Sequence, residues 1–212
     1  MRPVQKHIGT ASGRLEAQLE VIDVAFLRAT SYAREAIGAE GIDVMFVDAP
    51  NDALPEWKVG GATFNPYFIL VSLDPGFTLQ SQKIEATLVH EYHHAMRWRT
   101  TEFGADLAQL LVSEGLAQLF EEECLGERPF YSDADISQSE IEAANVELHA
   151  QPFDQGKWFF GAKDVTKHFG YTYGYRLCKN YSMYVEKGAS ELLDVSSKDV
   201  LKHSLDGRSP QQ

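Results

Sequence analysis

The chain has 212 residues, 44% of them hydrophobic and 11% aromatic, which suffices for one well-buried core and falls short of two large domains. A formal net charge of -12 without any cluster of Lys and Arg argues against a nucleic-acid partner. The N-terminus lacks an apolar signal region and no run of about 18 apolar residues occurs, so neither secretion nor a membrane span is expected, and the acidity fits the solubility charge of a cytoplasmic protein.

From Ser12 to Ile37 the apolar positions Leu15, Leu19, Ile22, Ala25, Phe26, Ala29, Ala33 and Ile37 recur at helical spacing, and Gly38 follows as a stop, which predicts a long amphipathic helix. Ile42 to Asp48 then predicts a strand, residues 49–58 a loop, and Gly60 to Asp74 a hairpin arm ending in a strand. Past Asp74 the spacing turns helical: Gln80 to Trp98, Phe103 to Cys124, Ile136 to Leu148 and Gly170 to Lys187, with two short helices near the C-terminus. Strands grouped ahead of helices predict an α+β fold, a small N-terminal sheet plus a helical bundle. The expectation is a single domain over 1–212, helix and sheet in 1–78 and a mostly helical remainder in 79–212. Cys124 and Cys178, far apart and in helical segments, are expected to be reduced packing residues.

The stretch "TLVHEYHHAMR" sets three histidines and one acid into five consecutive positions, His90 to His94. On a helix, residues four apart project from one face about 6 Å apart along the axis, so His90 and His94 suit a shared ion. Glu91 points to the adjoining angle and can reach water at the metal without occupying it, the H-E-x-x-H arrangement of zinc peptidases. The plain alternative is a polar patch on a helix. His93 faces away from this pair and is expected to pack or to lie at the surface, while His149 and His203 have no ligand-like neighbours in sequence.

A catalytic zinc has three protein ligands and one open position, so the motif asks for a further carboxylate or imidazole downstream. Glu114 follows His94 after nineteen intervening residues, flanked by Leu110, Leu111, Val112, Leu116 and Leu119. A carboxylate in that apolar stretch is costly to bury unless it is paired or bound to a metal, which makes Glu114 the natural third ligand to one zinc per chain. Gly115 beside it would let the two metal-bearing helices approach closely.

"HEYHH" followed by "SEGLA" resembles the gluzincins, the thermolysin-like branch of zinc metallopeptidases, whose third ligand is a Glu on a second helix. More narrowly, "GGATFNPYFILVSLDP", "HEYHHAMRWR", "LVSEGLAQLF" and "GYTYGYRL" together resemble a small bacterial family of predicted zinc-dependent proteases, DUF2268, over most of the chain. The resemblance implies a zincin-like catalytic core. It implies Glu91 as general base and places the oxyanion donor in "HFGYTYGYRLCKNY", where Tyr171 followed by Gly174 is similar to the Tyr-x-x-Gly element of some aminopeptidase-type gluzincins. Tyr171 is the preferred donor; Tyr173, Tyr175 and His168 remain alternatives, and so does simple packing.

In gluzincins the strand before the metal helix pairs with extended substrate, a role that falls here to Gly60 to Asp74, with Asn65 and Tyr67 as substrate-binding candidates. Pro66 beside them points to a sheet edge, which can equally be an edge without a ligand. Gln118, one turn beyond Glu114, is a candidate partner for the outer nitrogen of a ligand histidine. A peptidase acting on peptide or protein substrates leads. A zinc amidase on a small molecule, or a zinc-stapled interaction module without catalysis, are the alternatives.

Overall fold

The computed structural model describes residues 2–101 and 104–205. The fold is α+β, as expected, and the chain divides into two compact units, Met1–Arg99 and Thr100–Gln212. The four strands found among the described residues all lie in the first unit. Among the described residues no helix is long and apolar enough to cross a membrane.

The first unit runs β1 (Gln5–Ile8), α1 (Leu19–Ile37), β2 (Asp43–Asp48), β3 (Val59–Asn65), β4 (Phe68–Leu73) and α2 (Ser81–Arg97). The sheet order is β1-β2-β4-β3; β1 and β4 flank β2 in parallel, and β3 runs antiparallel to β4. α1 buries the predicted stripe Ile22, Ala25, Phe26, Ala29, Ala33 and Ile37 and ends at Gly38 in the left-handed conformation, φ 65°. It starts at Leu19 rather than Ser12, because Gly13 turns the chain at φ 69° and a 3-10 turn occupies Glu16–Gln18. β1 escaped the sequence reading: "QKHI" is short and mostly polar, and its residues alternate between exposed and half-buried.

β3 is the sheet edge, but not for the reason Pro66 offered. Pro66 and Tyr67 form the two-residue turn between β3 and β4, and the edge arises because, among the described residues, no strand lies beyond β3 in the sheet order. α2 packs against α1, where the hydroxyls of Thr30 and Tyr92 meet at 2.8 Å, and against β3. Ile84, Leu88, Val89, Tyr92 and Ala95 supply its apolar contacts; His90, Glu91, His93, His94 and Arg97 are buried beside them. Five buried polar side chains in two turns are unusual for a packing helix, because each must find a polar partner to be buried at low cost.

The second unit contains α3 (Leu107–Leu125), α4 (Gln138–Glu147), α5 (Phe169–Val185) and α6 (Ser197–Leu205), with short helical turns at Phe130–Ser132, Gly156–Phe160 and Ala189–Glu191. The expected start of α3 at Phe103 lies outside the described residues. Asp106 caps α3 by accepting from the Gln109 N–H at 2.8 Å. α3 and α5 touch backbone to backbone: a Cβ added at Gly115 would lie 2.2 Å from the carbonyl oxygen of Gly174, and one added at Gly174 would lie 2.2 Å from that of Leu111. Gly115 therefore serves the approach of α5. The expected approach of the two metal-bearing helices is corrected on this point.

Candidate metal centre

On α2, His90 and His94 lie one turn apart with their Nε2 atoms 3.0 Å from each other and their ring planes at 80°. Both are buried, 7% and 3% exposed. A tetrahedral zinc with Zn–N bonds of about 2.0–2.1 Å would hold two nitrogens about 3.3 Å apart, so the pair is spaced for one shared ion and for that element's preference for imidazole. Both imidazoles are buried on one face of α2, with these two nitrogens converging on one point.

Glu91, on the adjoining side of α2, lies against β3. Thr63 donates its hydroxyl to Glu91 Oε2 at 2.7 Å and lies 3.1 Å from the Glu91 carbonyl oxygen. Two residues earlier on the same strand, a Cβ at Gly61 would stand 2.6 Å from both Cγ and Oε1 of Glu91 and 2.7 Å from Thr87 Cγ2. The carboxylate thus lies in a notch made by a missing side chain. Strand periodicity alone carried the signal, since Gly61 and Thr63 share a face, but only the register of β3 against α2 identifies Glu91 as their neighbour.

The hairpin tip carries the two substrate-binding candidates. The Asn65 side-chain carbonyl accepts from the Tyr67 N–H at 2.9 Å and so shapes the turn. Tyr67 is 60% exposed, with the Arg99 guanidinium 4.9 Å over its ring, and Arg99 also donates to the carbonyls of Pro66 and Glu40. Phe64 on β3, absent from the sequence-based candidates, is 59% exposed and stands 6.1 Å from the ring of Phe68.

In the second unit, Glu114 sits half-buried on α3, and its flanking Leu110, Leu111, Val112, Leu116 and Leu119 are buried as expected. Gln118 is fully buried and donates its amide to the carbonyls of Glu114 and Tyr171, at 3.1 and 3.0 Å. Its Oε1 has no hydrogen-bond partner among the described residues. Tyr171 stands in the first turn of α5, its ring 5.0 Å from Phe159 and 5.1 Å from Tyr131. Tyr131 donates to Glu121 at 2.7 Å; burial above all, then the Glu121 and Glu114 charges, push its phenol well above the ordinary range, which keeps it protonated.

A family model described as a predicted Zn-dependent protease, DUF2268, matches residues 26–202, from within α1 to α6. The chain belongs to this family. No curated protein and no solved structure matches it. The DUF2268 span contains every candidate side chain described above, and the spacing of His90 and His94 fits the metal its description implies.

The remaining candidates of this DUF2268 chain have other occupations. Tyr173 donates to Asn145 at 2.8 Å and Tyr175 to Glu122 at 2.6 Å, commitments that count against either as an oxyanion donor. Burial, with the Glu122 charge adding to it at Tyr175, pushes both phenols up. His168 opens α5 in the left-handed conformation, φ 67°. His93 is fully buried, His149 meets Asp106 at 3.0 Å, and His203 stacks on Tyr184 at 3.9 Å. Cys178 is buried and Cys124 half-buried, both as free thiols; burial first, then Glu123, pushes the Cys124 thiol up to about 12.

Proposed function

We propose that this chain is a zinc peptidase of the H-E-x-x-H gluzincin type, with His90, His94 and Glu114 holding one zinc and Glu91 as general base. The two Nε2 atoms of His90 and His94, 3.0 Å apart on one helix, carry the reading, and Glu114 completes a group of residues that could hold a metal ion. When bound there, zinc would supply Lewis acidity and bring the pKa of water to about 7.

The chain's own residues supply the rest. Glu91 accepts the proton of the attacking water at its carboxylate and passes it to the departing amine, so that the same acid serves both halves of the reaction. The Tyr171 phenol donates to the oxyanion of the tetrahedral intermediate, and because that charge is absent from the ground state, the hydrogen bond lowers the barrier rather than only tightening binding. The open edge of β3 pairs with the backbone of an extended peptide, giving affinity with little sequence preference. Phe64 and Tyr67 offer an apolar surface beside that edge, with Asn65 fixing the turn. Gln118, expected to accept from the outer N–H of a ligand imidazole, gives its amide to the carbonyls of Glu114 and Tyr171 instead and accepts nothing at Oε1 among the described residues, so that role is not assigned to it. A zinc that merely stapled helices would have no use for Glu91 in its notch, which favours hydrolysis over an interaction module.

The test is elemental analysis of the purified protein beside two variants. One zinc per chain is expected in the wild type, with most of it lost in Glu114→Ala because one of three ligands is gone. Glu91→Gln is expected to retain zinc and to lose about 10²–10⁴-fold in turnover of unfolded protein, the usual contribution of a placed base. Unchanged zinc in Glu114→Ala would move the third ligand elsewhere, and full turnover by Glu91→Gln would remove Glu91 as base.

A further inference from the structure

Glu91 is buried next to a strand that also presents the sheet's open edge, and its contacts with that strand are specific. A glutamate has three rotatable bonds, so a base placed only by its backbone would sample several positions for its carboxylate. Thr63 limits that freedom. Its hydroxyl has one proton to donate and two acceptors within reach, Glu91 Oε2 at 2.7 Å and the Glu91 carbonyl at 3.1 Å. The carboxylate contact is the shorter and is charge-assisted, so it takes the proton.

Gly61 completes the device. With no side chain there, Glu91 Cγ and Oε1 lie in space that a Cβ would enter to 2.6 Å. Among the described residues Oε1 accepts no hydrogen bond, so the two oxygens are distinguished by the strand: Oε2 is held and Oε1 is left to exchange protons.

We propose that Thr63 is the positioning residue for Glu91, fixing Oε2 by its hydroxyl while Cγ and Oε1 lie in the notch left by Gly61, so that Oε1 acts as the proton acceptor. The inference rests on the zinc-peptidase reading for its chemical meaning, though not for its geometry. It also ties the base to β3, the strand on which an extended substrate would pair, so that docking and proton transfer share one rigid element.

Thr63→Val keeps the shape of the side chain and removes the hydroxyl, whereas Thr63→Ser keeps the hydroxyl. Both are to be compared with the wild type as zinc-loaded full-length protein, by crystal structure and by turnover of fluorogenic casein. In the structures, Glu91 Oε2 is expected within hydrogen-bond reach of residue 63 in wild type and Thr63→Ser and displaced in Thr63→Val. In the kinetics, Thr63→Val is expected to lose at least about tenfold in kcat, a part of what a placed base contributes, with KM and zinc content little changed, and Thr63→Ser to recover most of the loss. An unmoved Glu91 in Thr63→Val overturns the proposal whatever the activity. So does a Thr63→Ser as slow as Thr63→Val, which would assign the effect to packing. If the wild type leaves casein intact and Glu91→Gln behaves identically, the peptidase reading fails and the structures alone decide the role of Thr63.

Discussion

Two glycine contacts, one in each unit, look alike in sequence and do opposite work. At Gly115 and Gly174 the absent Cβ lets two helix backbones touch, and the nearest atom a Cβ would strike is in each case a backbone carbonyl oxygen, at 2.2 Å. At Gly61 the absent Cβ admits the carboxylate arm of Glu91, and the atoms it would strike belong to side chains. Backbone cannot swing aside, whereas a side chain can. The first kind of glycine therefore protects stability and the second protects a conformation of a reacting group.

Gly174→Ala is the sharpest way to break that contrast. Its methyl would stand 2.2 Å from the Leu111 carbonyl oxygen, so α3 and α5 must separate. Overpacking of this kind costs about 2–3 kcal/mol. For a chain of this size, at roughly 2–4 °C per kcal/mol, thermal unfolding should then occur about 5–10 °C lower. A Tm within about a degree of wild type would show that the two helices separate at no cost, and the contrast would lose its stability half.

Gly61→Ala should do the reverse. The methyl meets Glu91 Cγ and Oε1 at 2.6 Å and Thr87 Cγ2 at 2.7 Å, all atoms of side chains that can rotate away. A stability change of about 1 kcal/mol or less is expected, together with at least about a tenfold loss of turnover and full zinc content, because the base moves while the imidazoles do not. Equal falls in Tm and in activity would mean that Gly61 is a packing glycine like Gly174.

What could be read in advance divides along the same line. The i, i+4 spacing of His90 and His94 and the apolar surroundings of Glu114 are periodic features of single helices, and both are found where periodicity placed them. The stripe of α1 and its stop at Gly38 were legible for the same reason. The Gly61 and Thr63 notch was not, because it depends on how β3 registers against α2, a relation between segments that no local pattern encodes. Gly115 reads in the sequence as a close-approach residue, but its neighbour is α5, which the sequence does not identify, since a glycine states only that something comes near. β1, four residues with little apolar content, is held by its parallel pairing to β2 more than by its own composition.

The smallest effect belongs to Glu140, which anchors the start of α4 in the second unit. Its carboxylate accepts from the Ser137 N–H and hydroxyl, each at 2.7 Å, and from the Thr166 N–H at 2.6 Å. Burial alone would raise its pKa, but these hydrogen bonds outweigh it and hold the carboxyl at about 2, below its ordinary 4.5. A carboxyl depressed in the folded state stabilises the protein above its unfolded pKa, and that stability drains away as pH falls from 4.5 towards 2. Glu140→Gln preserves an acceptor but not the charge, so at pH 7 it should cost about 1 kcal/mol, the usual worth of such a cap. Thermal unfolding of wild type and variant should therefore differ at pH 7 and converge as the pH is lowered through that window. A gap that stays constant down to pH 3 would mean that the cap works as a neutral acceptor, leaving the carboxylate charge without a part in holding α4 to the segment at Thr166 that leads into α5.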